Sequence, residues 1–283
     1  MLSNRGGYTV IEVLLVLAIT GALLTVGFSA FRGKQGQVQF QQAMYNTQSE
    51  FQTIVNDVLS GATQDGTEGG DASSAICEET GSGTPGVRPP DPGETVSGVG
   101  TGQDCLMLGR SVLVTPDSGT LNIFVVVGLR YLAGSDRPVT NFEEAAPTPV
   151  NFTHNNWPAD FTKRYALPGG TQVISAKVVG QTGEFDLVGF YLNPQAGSSA
   201  GQGSTFTALA YPFPSTSDNY KVPLYNNSIE RCIQQNSPCT NPVPLGVWEL
   251  CLQNSTTSSE RAKLIITGKP GGVITDLKFE NCT

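Results

Sequence analysis

The sequence predicts an α+β protein: one long N-terminal helix packed on a mainly antiparallel β-sheet head. Three observations predict it. An apolar run from Tyr8 to Phe31 carries a single charge, Glu12. Apolar residues then recur at helical spacing as far as Leu59. Beyond Cys105 the pattern changes to short β-rich runs separated by Pro, Asn, Gly and Ser.

The apolar run comes first. A helix needs roughly 20 apolar residues to cross a bilayer, so this stretch is long enough. In lipid a lone segment satisfies its backbone only as a helix. Thr9, Thr20, Thr25 and Ser29 are the other polar residues of the run, and each can return its hydroxyl to the helix backbone. Arg5 lies before the run, and Arg32 and Lys34 close it, which leaves orientation open by charge alone. A secretory signal peptide has an apolar core of about 7–15 residues followed by a small-residue cleavage site. Here the run is longer, and the small pair Gly6-Gly7 precedes it. A plain membrane anchor does not account for Glu12. An acid near a helix centre costs at least ~2.5 kcal/mol to insert and marks function. One turn from the start of the segment, nearness to the headgroups lowers that cost.

Gly7-Tyr8-Thr9-Val10-Ile11-Glu12-Val13 resembles the type IV prepilin signal, in which a Gly precedes an aromatic residue and a Glu falls fifth in the mature chain. Tyr8 stands where Phe is usual. The resemblance covers about the first thirty residues. It implies a leader over residues 1–7, cut after Gly7 by a prepilin peptidase, with N-methylation of the new N-terminus at Tyr8. It implies that residues 8–31 form a transmembrane and polymerisation helix, and that Glu12 faces the amine of a neighbouring subunit. A carboxylate and an ammonium in a dry core offset each other's desolvation only when paired, so an unpaired Glu12 penalises misregistered subunits. The implied partners are the peptidase, other pilin subunits in a homo- or hetero-filament, a pilus or type II secretion assembly platform, and the membrane.

Residues 32–60 continue the helix in amphipathic form. Phe40, Met44, Phe51, Val55 and Val58 share one face, with Ile54 and Leu59 flanking it, and glutamines fill other positions. Gly61 is the expected stop. Residues 8–60 would make a rod of roughly 80 Å at 1.5 Å per residue. Gly21, Gly27, Gly33 and Gly36 weaken it locally, by ~1 kcal/mol each against Ala. The stripe needs a partner, which a head packed on it supplies.

Residues 61–104 are dominated by Gly, Ser, Thr, Asp, Glu and Pro and read as a surface loop or linker. Residues 105–283 read as a β-rich extracytoplasmic head, ample for one core. CLMLGRSVLV and TLNIFVVVGLRYL face each other across Thr115-Pro116-Asp117-Ser118-Gly119, a hairpin. Further strands are expected at TQVISAKVV, FDLVGFYL, TFTALAY, GVWELCLQN, RAKLIITG and VITDLKF. Loops are expected at 133–169, 194–204 and 212–244, with no second helix. GVWELCLQNSTTSSERAKLIITG loosely resembles the C-terminal region of H-type minor pseudopilins, where a Cys-bearing strand precedes an aliphatic strand ending in Gly.

The six cysteines, Cys77, Cys105, Cys232, Cys239, Cys251 and Cys282, all follow the apolar run. An even count on the exported side favours disulfides. The pairing expected is between sequence neighbours: Cys77–Cys105, Cys232–Cys239 and Cys251–Cys282. Zinc is disfavoured, since no CxxC occurs and the sole histidine, His154, is far from any cysteine. No metal and no other cofactor is expected.

No catalytic motif is present: there is no GxSxG, no HExxH and no P-loop. His154, Glu78-Glu79 and Glu143-Glu144 read as loop residues, and the chain is read as non-enzymatic. The net charge of -8 argues against bulk binding of DNA, and losing Arg5 with the leader deepens it. Lys163-Arg164 reads as a solvated loop pair. Asn-x-Ser/Thr triplets occur at Asn151, Asn254 and Asn281, and near Asn226, and read as incidental.

Together these features describe a structural subunit of a type IV pilus or related filament, possessing a large head that suits a minor or tip position. Adhesion, motility and DNA uptake are the roles such a filament serves. It would wait in the cytoplasmic membrane as a single-pass protein with its head outside, then work in the pilus or at the cell surface. A pseudopilin of a type II secretion system is the alternative within the family. A membrane-tethered surface-binding module is the alternative outside it.

Overall fold

A computed structural model describes residues 9–60, 76–79, 83, 85–88, 105–149, 162–194, 205–212, 229, 232–234, 242–256, 259–280 and 282. The chain divides into two units, Met1–Gln42 and Ala43–Thr283. One continuous helix, α1 (Val10–Ser60), contributes to both, and its glycines leave it unbroken. The fold is the α+β class expected.

The second unit holds the strands. In chain order these are β1 (Ile76–Glu79), β2 (Pro85–Arg88), β3 (Cys105–Val114), β4 (Thr120–Leu129), β5 (Thr148–Pro149), β6 (Thr162–Ala166), β7 (Thr171–Val178), β8 (Leu187–Asn193), β9 (Thr205–Tyr211), β10 (Val243–Pro244), β11 (Val247–Asn254), β12 (Arg261–Lys269) and β13 (Gly272–Lys278). β1 and β2 pair with each other. A seven-stranded sheet runs β10-β9-β8-β3-β4-β5, with β6 also paired to β4. A four-stranded sheet runs β13-β12-β11-β7. Every pairing among the described residues is antiparallel.

The expected β3–β4 hairpin is present. Thr115 O accepts the Ser118 amide at 3.1 Å, with Pro116 leading the turn and Asp117 at φ 58°. A short acidic side chain tolerates that left-handed position. The same turn ties the two sheets, since Asp117 N donates to Val173 O at 2.8 Å and Val173 N to Ser118 O at 3.0 Å.

β3 is buried along almost its whole length because both of its faces are covered. Side chains alternate across a strand. Arg110, fully buried, meets Asp57 of α1 at 3.3 Å. On the opposite face Leu113 joins Phe124, Val126, Leu187, Tyr191 and Tyr211 in a second core. There the hydroxyls of Ser111 and Tyr191 are 2.7 Å apart, and Tyr211 Oη donates to Tyr191 Oη at 3.2 Å. Burial pushes the Tyr191 phenol up to about 12, and these hydrogen bonds work against the rise. A Cβ at Gly189 would overlap the Tyr191 ring, so the missing side chain makes room for it.

The four-stranded sheet receives α1 through Trp248. The Phe51 and Trp248 rings pack edge to face, 5.9 Å apart, and the indole N–H donates to Phe185 O at 3.0 Å. Met44, Phe51, Ile54, Val55 and Val58 of the expected stripe are buried, whereas Leu59 is 39% exposed. The outer edge of β13 is guarded by polar side chains. Gln48 Nε2 donates to Thr275 O at 3.1 Å, Gln52 Nε2 to Thr275 Oγ1 at 2.9 Å, and Asp276 Oδ1 accepts the Leu277 amide at 2.9 Å. An unguarded edge would be a template for another strand.

Several expectations are corrected. The segment 61–104, read as loop, contains the β1–β2 ladder. The segment 133–169, also read as loop, contains β5 and β6. The segment 212–244 contains β10 and helical positions at Ile229, Cys232 and Ile233, where no helix was expected. Lys163 is not simply solvated: from β6 it pairs with Glu50 of α1 at 2.8 Å, and Tyr165 hydrogen-bonds Thr47. β6 reads Thr-Lys-Arg-Tyr-Ala, with no apolar run, so its strand character comes from pairing to β4 and leaning on α1. Glu144 is not a bare surface acid either. It accepts Arg137 Nη2 and the Thr140 amide, each at 2.9 Å, and Thr140 Oγ1 at 3.0 Å.

Two outcomes follow from this packing. Phe51→Ala leaves a cavity beneath Trp248 and is expected to cost about 3–4 kcal/mol in denaturant unfolding of the detergent-solubilised chain. A loss below about 1 kcal/mol would show that this contact does not anchor the helix. The second concerns acid. Hydrogen bonds from Arg137 and Thr140 hold the Glu144 carboxyl down to about 2. The unfolded value is about 4.3, so its stabilisation is complete above that pH and is lost as pH falls towards 2. Amide exchange at Thr140, corrected for intrinsic rates, should lose protection across that window, and Glu144→Gln should remove the dependence.

Candidate assembly site

The candidate site is the first turn of α1 with the apolar surface that follows. Val10–Gly27 is an 18-residue window of mean hydropathy 2.4, and none of it is buried. Thr20 returns its hydroxyl to Val16 O at 2.8 Å and Thr25 to Ala22 O at 2.8 Å, so the polar residues of this surface are satisfied within the helix. A helix of this length and composition serves for membrane insertion or as an export signal.

Glu12 occupies a built position. Its backbone amide donates to Thr9 Oγ1 at 3.3 Å. Its Oε2 in turn accepts the Thr9 amide at 2.8 Å and the Thr9 hydroxyl at 3.0 Å. This is a capping box, in which the N-cap and the third helical residue each satisfy a backbone amide of the other. The charge also lies at the positive end of the helix dipole. All three contacts use Oε2 or the backbone, which leaves Oε1 open. The sequence signal was the T-x-x-E spacing before an apolar run, a feature separate from the prepilin resemblance.

Gly7 and Tyr8, the expected processing residues, lie outside the described residues, as does His154. Cys251 and Cys282 form a disulfide with Cα atoms 5.9 Å apart, as expected. Cys251 lies in β11, and the tail beyond β13 crosses back over β12 to reach it. Lys263 of β12 meets Glu280 of that tail at 3.3 Å, and the Cys282 sulfur lies 3.8 Å from Ala262 O. Cys105 and Cys232 are buried, and each is disulfide-bonded. The Cys77 side chain and Cys239 lie outside the described residues, so the pairings expected for them do too. Among the described residues no group of three or more His, Cys, Asp or Glu is placed to hold a metal ion. Asn254, one of the triplet asparagines, is a turn former. It is 6% exposed; its Nδ2 donates to Glu260 Oε2 at 2.8 Å, and its Oδ1 accepts the Thr256 hydroxyl at 2.7 Å.

No protein-family model, no curated protein and no solved structure matches this chain. The architecture, an exposed apolar N-terminal helix running into an antiparallel head with a C-terminal disulfide, is compatible with a pilin-like subunit.

The capping box yields its own test. Thr9→Val removes the cap acceptor and one donor to Glu12, and the first turn of α1 should fray by about 1 kcal/mol. Amide exchange of Glu12 and Val13 in micelles should rise about fivefold, while Thr9→Ser stays near wild type. Equal protection in the valine variant would show that the box does not hold this end.

Proposed function

We propose that this protein is a structural subunit of a type IV pilus or a closely related filament. The observation that carries the reading is Val10–Gly27: a helix surface apolar all round, wholly exposed, and led by a single carboxylate. Such a surface leaves water either for lipid or for the same segment of neighbouring subunits. The Glu12 position supports the second use. Oε2 caps the chain's own helix, and Oε1 remains to receive the amine that cleavage after Gly7 creates on Tyr8 of an adjacent subunit. A prepilin peptidase would make that amine, and an assembly platform would extract the subunit from the cytoplasmic membrane. The Cys251–Cys282 disulfide suits a head outside the cytoplasm.

The test has two linked measurements. The mature chain should have the mass of a protein beginning at methylated Tyr8. Glu12→Ala should keep its level in the membrane while its yield in sheared filaments falls at least about tenfold, in keeping with loss of a buried charge pair. Normal filament yield from Glu12→Ala would overturn the reading. Sheared fibres lacking the chain, with loss of exoprotein release on deletion, would identify a secretion pseudopilin. An uncut chain and no filament would identify a membrane-tethered module.

A further inference from the structure

We infer that the head carries a binding site for a neutral saccharide residue, on the face of the seven-stranded sheet that looks away from α1. A cavity of about 300 Å³ opens there, above β8 and β9. That volume lies at the low end of small-ligand pockets and accommodates one sugar ring. Partly exposed Leu209 forms its floor, with the buried Tyr191 of the neighbouring strand beneath, and its wall is the turn bearing Asn141, Phe142 and Glu143. The Phe142 ring packs on Tyr191 with centroids 4.5 Å apart, which seats the wall on the core and leaves Leu209 and the edge of Phe142 as one apolar corner.

The polar groups around this corner are fixed in place with capacity left over. Asn193 Nδ2 donates to Thr207 Oγ1 at 3.0 Å and to Thr205 Oγ1 at 3.4 Å. That orients the amide and leaves Asn193 Oδ1 as an acceptor and the Thr207 O–H as a donor. Asn141 Oδ1 accepts the Glu144 amide at 2.8 Å, which leaves its NH₂ group as a donor. The exposed Glu143 carboxylate adds a second acceptor. The turn presenting Asn141 and Glu143 is held by the Arg137–Glu144 ion pair at 2.9 Å.

Two donors and two acceptors around an apolar corner match a ligand whose hydroxyls both give and receive hydrogen bonds and whose ring carries C–H faces. Among the described residues the lining has no Lys or Arg, and it has one carboxylate, which repels an anionic ligand. One carboxylate without further charged ligands does not hold a divalent cation. The class that remains is a neutral pyranose. The head alone makes this site, so it stands or falls independently of the filament reading.

The test is saturation-transfer NMR on the full chain in phosphocholine micelles, avoiding detergents with sugar headgroups. The probes are the methyl glycosides of glucose, galactose, mannose and N-acetylglucosamine, with glucuronate as the anionic counterpart. At least one neutral glycoside should receive saturation, and glucuronate should not. Asn141→Ala and Thr207→Val should each weaken binding about fivefold, the effect of one neutral hydrogen bond. Glu143→Gln changes an exposed side chain and leaves the fold intact. It should admit glucuronate. Absence of transfer to every neutral glycoside would overturn the proposal. So would equal binding of glucuronate by the wild-type chain, or neutral binding unchanged in both Asn141→Ala and Thr207→Val.

Discussion

The head is organised by the burial of one face of α1 between Ala43 and Ser60. That face has three parallel zones. The centre is apolar: Met44, Phe51, Ile54, Val55 and Val58, with Thr47 among them, all buried. One margin is acidic, since Glu50 and Asp57 lie two turns apart on the same side of the helix. The other margin is amide, formed by Gln48 and Gln52. Each zone meets a different partner. The apolar centre receives Trp248 of the four-stranded sheet. The acidic margin faces the seven-stranded sheet and takes Lys163 and the buried Arg110. The amide margin lies along β13. Hydrophobic contact is non-directional and would tolerate the helix sliding or rolling. The two charged pairs and the two glutamines remove that freedom. An offset of one turn would separate Arg110 from its carboxylate while it stays buried, at a cost of several kcal/mol.

The same arrangement settles the edges of the four-stranded sheet. A free edge strand is an invitation to pairing with another chain. β13 is guarded by amides from α1 and by its own Asp276. β7 exchanges hydrogen bonds with the β3–β4 turn and accepts the Phe185 amide at Ala176 O, 3.1 Å away. The Cys251–Cys282 bond then fixes the chain end over the outer face of β12. For a protein proposed to polymerise, guarding these edges leaves polymerisation to α1 instead of to uncontrolled strand addition.

What was legible in the sequence follows from which forces are local. The apolar run and the helical stripe are periodic, and periodicity survives in a single chain. β3, β4, β7, β8, β9, β11, β12 and β13 are rich in β-branched and aromatic residues, and all eight fall in runs read as strands. The strands that were missed, β1, β2, β5, β6 and β10, are short and carry Pro, Gly, Glu or Lys. Their extended form is imposed by a neighbour, which no local pattern encodes. The glutamines of α1 were read as the helix's polar face; their role at the edge of β13 depends on a strand more than two hundred residues away. At the candidate site, Glu12 is marked both by its charge in an apolar run and by its place in the prepilin-like signal, and the T-x-x-E spacing that builds its cap to Thr9 is equally present in the sequence.

The proposed function places unequal demands on the two ends of α1. An apolar helix gains little hydrophobically by leaving lipid for other helices, because hydrocarbon is as apolar as leucine. Val10–Gly27 therefore makes assembly permissible without making it specific. Discrimination has to come from a group that distinguishes the two surroundings, and Glu12 is the acid in this segment. In lipid its carboxylate is partly compensated by Thr9, through two hydrogen bonds to Oε2. In a filament it would keep those bonds and gain an ammonium on Oε1, so the added interaction is present only when a neighbour's N-terminus is in register. The capping box thus lowers the cost of waiting in the membrane without using the oxygen that assembly needs.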